Sequence, residues 1–366
     1  MKYIVTGGLG FIGSEIVRQL LDRAKYPKTE QVLIIDDDSK GYGITKLTDV
    51  IGDSRLKIWY LDLSNQTWCS SGNVEGGEYQ LGFKGLNLYG HLSEADYIIN
   101  CAAKIGGIGY FNKIPATILD NNNLIQSNIL NCLATMPEKQ RPHYVQMSSS
   151  MVFEAADTFP SKESDVRNIR VPITAYGFQK LASEFYCRAF YDQYGIRYTI
   201  VRPFNAVGPE KPDPNFVGYS HVLPDFVCKI KNGQGRLKED PLKILGDGKQ
   251  VRHYTDAKEI AEGILIATHH PKAINEDFNI AIGKGHSVRE VAMLVWNSME
   301  RVYFAKSFTD NPAVGPYIEY TEGFKHDVQF RSPDISKTRD ILGWTAKTTL
   351  DDNIDKIVQS VLDLIN

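Results

Sequence analysis

Gly7-Gly8-Leu9-Gly10-Phe11-Ile12-Gly13 stands directly after the apolar run Tyr3-Ile4-Val5 and opens a helical pattern from about Ser14 to Asp22. Gly7, Gly10 and Gly13 keep a GxxGxxG spacing, a variant of the GxGxxG dinucleotide fingerprint. The first glycine permits the turn, Gly10 lets a pyrophosphate approach the backbone, and Gly13 lets the helix pack on its strand. Phe11 and Ile12 then offer the phosphates backbone N–H groups at the positive end of the helix dipole. A Gly-rich turn without a ligand is the alternative, but it does not require a helix to follow. The loop therefore points to a βαβ unit and a bound dinucleotide.

The pattern that follows agrees. Val32–Ile35, Leu56–Tyr60, Tyr97–Asn100, His143–Met147 and Tyr198–Val201 are short apolar runs that predict strands. Helical spacing over Pro115–Ala134 and Ala175–Tyr194 separates them, and the right-handed crossover rule makes the sheet parallel and doubly wound. The expected fold is α/β: a Rossmann-type doubly wound parallel sheet with a smaller C-terminal α/β lobe for substrate. The sheet domain is expected over 1–205 plus about 249–282, the nucleotide-sugar lobe over 206–248 and 283–345, and a C-terminal helix over 346–366. Helices are expected at Asp256–Thr268 and Val288–Met299. The stretch Asn65–Ser93 carries six glycines, is long for a connection, and suggests no function.

Asp36 closes the second strand and Asp37 follows it. A carboxylate there accepts hydrogen bonds from a ribose diol and repels a 2′-phosphate, which favours NAD over NADP. Asp62, with Leu63 beside it, ends the third strand where an adenine would lie. Tyr176 and Lys180 stand at i and i+4 on one helical face. An ammonium beside a phenol is expected to lower the phenol from about 10 towards working pH, making Tyr176 an acid/base for a hydroxyl. Ser148 and Ser149 end the fifth strand, at the carboxyl edge where such sheets bind ligands.

Composition removes other partners. Lys and Arg total 41 against 44 Asp and Glu, a net charge of −3, which gives nucleic acid or an anionic membrane no electrostatic purchase. No apolar run is long enough to span a bilayer, and the N-terminus does not read as a signal peptide. Cys69, Cys101, Cys132, Cys187 and Cys228 are scattered without CxxC spacing, so free thiols in a reducing cytoplasm are expected and no metal site.

GGLGFIGS, Asp36, CAAK at 101–104, SSS at 148–150, YGFQK, RPFNAVGP at 202–209 and GDGKQVRHYTD at 246–256 recur in one order. Together they resemble the extended short-chain dehydrogenase/reductases, specifically the nucleotide-sugar epimerases and dehydratases. The resemblance implies NAD as cofactor and a nucleoside diphosphate sugar as substrate. It makes Ser149, Tyr176 and Lys180 the catalytic set, and assigns Ala102, Ala103, Lys104, Asn123, Ser148 and Pro203 to the cofactor. It assigns Asn205, Val222, Arg252 and Arg331 to the substrate. His221 matches an acid of the fucose-synthase branch, or is a polar residue that starts a helix. The resemblance also implies a homodimer through a four-helix bundle of Pro115–Ala134 and Ala175–Tyr194.

The reaction turns on two positions. Dehydratases of this family carry a carboxylic acid directly after the catalytic hydroxyl, and 3,5-epimerases a cysteine at the place of Met151. This chain has Ser150 and Met151, neither able to serve as that proton donor. A 4-epimerase working through a transient 4-keto sugar is the expectation. A dehydratase or 3,5-epimerase of the same family is the alternative, and a non-catalytic NAD sensor a further one, disfavoured by the Tyr/Lys pair.

Overall fold

The structure, a computed structural model, describes residues 1–39, 43–65, 88–210, 221–304, 315–323 and 328–365. Most of the glycine-bearing stretch 65–93, and Cys69 within it, lies outside the described residues. Strand β1 (Lys2–Thr6) leads into α1 (Phe11–Leu21), β2 (Gln31–Asp36) and β3 (Leu56–Tyr60). Then come α2 (Leu88–Ser93), β4 (Tyr97–Asn100), α3 (Ile108–Lys113), α4 (Pro115–Ala134) and β5 (His143–Met147). Helix α5 (Ala175–Tyr194) and β6 (Tyr198–Pro203) follow. Helix α1 starts three residues earlier than its apolar pattern suggests, because Phe11 and Ile12 already have helical backbone.

Six of the seven strands of the central sheet come from this stretch. The order is β11-β6-β5-β4-β1-β2-β3, with every pairing parallel. The seventh, β11 (Glu276–Ile280), arrives from far along the chain. The sequence reading did not pick it out, since only Phe278 and Ile280 of its five residues are apolar. Strands buried on both faces read as near-continuous apolar runs. The exception is a polar line across the carboxyl half of the sheet. Thr6 donates to Asn100 at 2.6 Å, and the Asn100 amide donates to Gln146 and to the Tyr144 hydroxyl.

Between β6 and β11 lie β7 (Ala206–Val207), α6 (Val222–Lys231), β8 (Leu242–Leu245), β9 (Val251–Arg252), β10 (Thr255–Asp256) and α7 (Ala257–His269). Beyond β11 come β12 (His286–Ser287), α8 (Val288–Met299), β13 (Ile318–Thr321), α9 (Ser336–Leu342) and α10 (Leu350–Ile365). Caps set the ends of the long helices: Asp256 accepts from Lys258 N at the start of α7, and Ser287 and Glu290 form a capping box on α8.

One core lies between the sheet and α1 and α7, another between the sheet and α2, α4 and α5. A third joins α6, α8 and α10 with Leu242 and Ile244 of β8, away from the sheet. The C-terminal helix thus packs in this third core. Leu342 and Trp344, within the stretch expected to complete the smaller lobe, sit instead in the first core. There Trp344 fills the space beside Gly263 and its indole N–H reaches Glu262 at 3.2 Å.

Candidate active site

The Gly-rich loop has the tight geometry its spacing suggests. Gly7 has φ +67°, and a Cβ there would meet Ala102 N at 2.7 Å. A Cβ on Gly13 would lie 2.1 Å from Gly7 O, so no other residue fits where α1 crosses the loop. Gly10 stands at the N-cap of α1 and no side chain caps that end. Asp36 closes over the loop: Oδ2 accepts from Leu9 N and Oδ1 from Asp38 N, both at 2.9 Å. Burial raises the Asp36 carboxyl, against the pull of those two N–H groups. Each oxygen keeps a lone pair for a ribose hydroxyl.

A cavity of about 460 Å³ runs from this loop along the carboxyl ends of the strands to α6 and β9. It is lined by Gly7, Gly10, Phe11, Ile12, Gly13, Asp36, Asp37, Asp62 and Leu63 at one end. Ala102, Ala103, Lys104, Ser148, Ser149, Tyr176, Lys180 and Pro203 line its middle, and Asn205, His221, Val222, Arg252 and Arg331 its far end. Nearly every site residue singled out in the sequence therefore meets one opening. It spans the β1/β4 boundary where the strand order reverses, the crevice in which doubly wound sheets bind ligands. A glycine loop that no side chain could replace, an acidic residue at the end of β2 and an uncapped helix end fit a dinucleotide diphosphate and ribose.

Asn123 is placed elsewhere. Successive helical residues turn by about 100°, so Asn121 and Ile125 line the cavity, whereas Asn123 Oδ1 faces Gln179 Nε2 at 3.5 Å. Its neighbour Asn122 does different work: buried, it accepts from Lys104 N at 2.7 Å and donates to Lys104 O, pinning the loop after β4. Asp62 faces the cavity, but its Oδ1 also takes Ser64 N and Oγ.

Tyr176 lies in the first turn of α5 and is 3 % exposed. The Ser149 hydroxyl hydrogen-bonds it, and Phe111 of α3 stacks on its ring. Lys180 Nζ lies 5.7 Å from the ring centroid and donates to Met147 O at 2.8 Å. The expected acidification of the phenol by lysine is overturned here: burial pushes Tyr176 up to about 12, and the opposing pulls come from Ser149 and the Arg331 charge. Burial also brings Lys180 down to about 8. Arg331, expected at a diphosphate, donates to Ser150 Oγ at 3.3 Å, one residue after Ser149.

Several residues escaped the sequence reading. Glu210 lines the cavity and holds His221 Nδ1 at 2.8 Å. His221 is also the N-cap of α6, although its ring caps nothing. Glu154 follows the Val152-Phe153 pair and lines the cavity, an acidic residue whose place in the sequence was a usable signal. Ser148 donates to buried Glu184 at 2.7 Å, and Glu184 takes Arg202 through both oxygens at 2.7 Å. Asn205 Oδ1 is buried with no partner among the described residues, as a group awaiting a ligand donor would be.

A glycine-loop dinucleotide crevice that meets a Ser/Tyr/Lys set defines a dehydrogenase-type α/β enzyme. The chain matches the model of the NAD dependent epimerase/dehydratase family over residues 84–281, and it belongs to that family. GDP-mannose 3,5-epimerase 1 of Oryza sativa subsp. indica is 24% identical over 372 residues, covering 97% of this chain and 80% of that protein. UDP-glucose 4-epimerase of Halalkalibacterium halodurans is 27% identical, covering 95% and 91%. Among solved structures, a UDP-glucose 4-epimerase of Thermotoga maritima with UDP-glucose superposes with TM-score 0.75 at 23% identity, covering 100% of both chains. A dTDP-glucose 4,6-dehydratase of Streptomyces venezuelae with NAD bound gives 0.78 at 22%, covering 99% and 97%. Among the described residues no helix is long and apolar enough to cross a membrane.

Proposed function

We propose that the chain is an NAD-dependent nucleotide-sugar 4-epimerase. The observation that carries this reading is the content of the cavity's middle: Ser149, Tyr176 and Lys180 meet there, with buried Met151 as the next side chain but one after Ser149. A thioether neither gives nor takes a proton, so the turn after Ser149 lacks the acid that dehydration needs. Glu154, the nearest following carboxylate, accepts both the N–H and the hydroxyl of Thr174.

The glycine loop and Asp36 would hold NAD, which supplies the acceptor and donor for the hydrogen at C4. Tyr176 Oη takes the proton of the sugar's 4-hydroxyl, with Ser149 sharing that proton. Arg331 favours the anionic phenol, and Lys180 Nζ stands 5.7 Å from the ring centroid. After the 4-keto sugar turns, Tyr176 returns the proton to O4. Asn205, Val222 and Arg252 are assigned to the nucleoside diphosphate, and an Arg fork suits a diphosphate.

A second reading, 3,5-epimerisation, is favoured by one observation, the His221–Glu210 pair at the sugar end of the cavity. A carboxylate-held imidazole is a competent acid/base. The deciding experiment incubates the protein with UDP-, GDP- and dTDP-hexoses and follows the sugar by NMR in deuterated water. Inversion at C4 without deuterium uptake supports the proposal. Deuterium at C3 or C5 favours the second reading, and a 4-keto-6-deoxy product a dehydratase.

A homodimer joined through α4 and α5 belongs to the same proposal. Helix α4 packs along α5, and α5 presents Phe178 and Phe185 outwards, the latter 62 % exposed. A monomer by light scattering would remove it.

A further inference from the structure

Ser149 and Tyr176 come from different parts of the chain, and their spacing must be held by something other than the sheet. Ser149 N-caps the short 3-10 turn Ser150–Phe153, its hydroxyl accepting from Met151 N at 3.2 Å. Glu154 ends that turn, its own N–H bonded to Met151 O at 3.1 Å. From there the Glu154 carboxylate crosses to α5. Its Oε2 accepts from Thr174 N at 2.8 Å and Thr174 Oγ1 at 2.9 Å. Thr174 in turn is the N-cap of α5 and accepts from Gly177 N at 3.1 Å. Tyr176 lies between those two residues.

The approach is close as well as bonded. A Cβ on Gly177 would stand 2.8 Å from Glu154 Oε2 and 2.9 Å from Met151 O. The turn carrying Ser149 and the first turn of α5 are thus nested against each other, with one buried carboxylate as the tie. Glu154 itself is 5 % exposed, so water does not compete for these bonds.

We infer that Glu154 is a positioning residue: through Thr174 it sets where the Tyr176 hydroxyl stands relative to Ser149. The inference rests on the acid/base roles proposed for those two residues. Misplacing a reacting group by about 1 Å costs on the order of 100-fold in rate, so the effect falls on kcat and leaves KM nearly unchanged.

The test uses the full chain and three variants. Glu154→Ala is expected to lower kcat about 10- to 100-fold with KM within about threefold. Glu154→Gln keeps an oxygen that accepts both Thr174 bonds, and is expected to recover most of the rate. Thr174→Val removes the hydroxyl half of the tie and keeps the backbone N–H. Added to Glu154→Ala, it should cost less than it costs alone, because coupled residues are non-additive, the remainder being its cap on Gly177 N. Full rate in Glu154→Ala, additive losses, or a rise in KM alone would overturn the inference.

Formation of reduced nicotinamide from a nucleotide-hexose reads the first proton transfer, whichever sugar carbon is finally inverted. A protein that reduces the cofactor without epimerising thus removes the C4 proposal and still tests Glu154. A crystal structure of Glu154→Ala reads the geometry with no turnover at all. A shifted first turn of α5 supports the inference, and an unmoved Tyr176 hydroxyl overturns it.

Discussion

The ring of Phe111 lies flat on that of Tyr176, their centroids 4.4 Å apart and their planes 7° from parallel. Burial is the largest influence on this phenol and holds it at about 12, and Phe111 supplies one face of that burial. Phe111→Ala lets water reach the ring and lowers the phenol's pKa. The ascending limb of the pH–rate profile, where the phenolate forms, should move to lower pH by about one unit relative to wild type. Phe111→Tyr should restore it. An unmoved limb in Phe111→Ala would mean that water already reaches Tyr176.

Lys180 predicts a pH-dependent stability. Its ammonium titrates at 10.5 in the open chain and about 8 when folded, so between these values the unfolded chain binds the extra proton and stability rises with pH. Below pH 8 the full cost of burying the charge is present, about 3 kcal/mol from the size of the shift. Lys180→Met removes that cost but leaves Met147 O without its donor, worth about 1–2 kcal/mol. The variant should be inactive, yet more stable than wild type by about 1–2 kcal/mol at pH 7. Urea midpoints from pH 7 to 9.5 should show the gap closing.

Asp36 should govern the choice of dinucleotide. Asp36→Asn keeps one side-chain oxygen, so either Leu9 N or Asp38 N loses its acceptor, and it removes the negative charge a 2′-phosphate would face. Titration of both cofactors should show NAD weakened by less than about tenfold and NADP binding improved by about tenfold or more. Unchanged NADP affinity would place the adenosine ribose elsewhere.

The Glu184–Arg202 pair, both residues 0 % exposed, predicts an asymmetric cost. Glu184→Leu leaves the buried Arg202 guanidinium with Asp277 as its one carboxylate and should lose about 3 kcal/mol. Adding Arg202→Met should return much of that loss. Equal or greater loss in the double variant, read from denaturant curves, would mean that Asp277 and Ser148 depend on the pair more than the geometry implies.

The sequence was most informative where backbone geometry dictates residue type. Gly7 and Gly13 admit no side chain, so their spacing alone located the crevice, and the apolar runs marked six of the seven strands around it. It was least informative where contacts are long-range. Nothing local distinguishes Asn122 from Asn123; only the rotation of α4 against the Lys104 loop decides which faces where. The Tyr176/Lys180 spacing puts both residues on the cavity, but the phenol's shift is set by burial, one face of it from Phe111 65 residues earlier, with Arg331 155 residues later pulling the other way. Likewise β11 began with two carboxylates, and only its place beside β6, where Asp277 meets Arg202 at 2.5 Å, explains them.

That late-arriving strand governs how the molecule can be divided. A chain stopped after residue 205 would keep the glycine loop, Ser149, Tyr176 and Lys180, though not Arg252 or Arg331. It would nonetheless leave β6 as a bare sheet margin, with hydrogen-bonding groups facing solvent and Arg202 deprived of Asp277. Such a fragment is a candidate for edge-to-edge clumping rather than a minimal catalyst. A nascent chain faces the same exposure until residue 280 has left the ribosome.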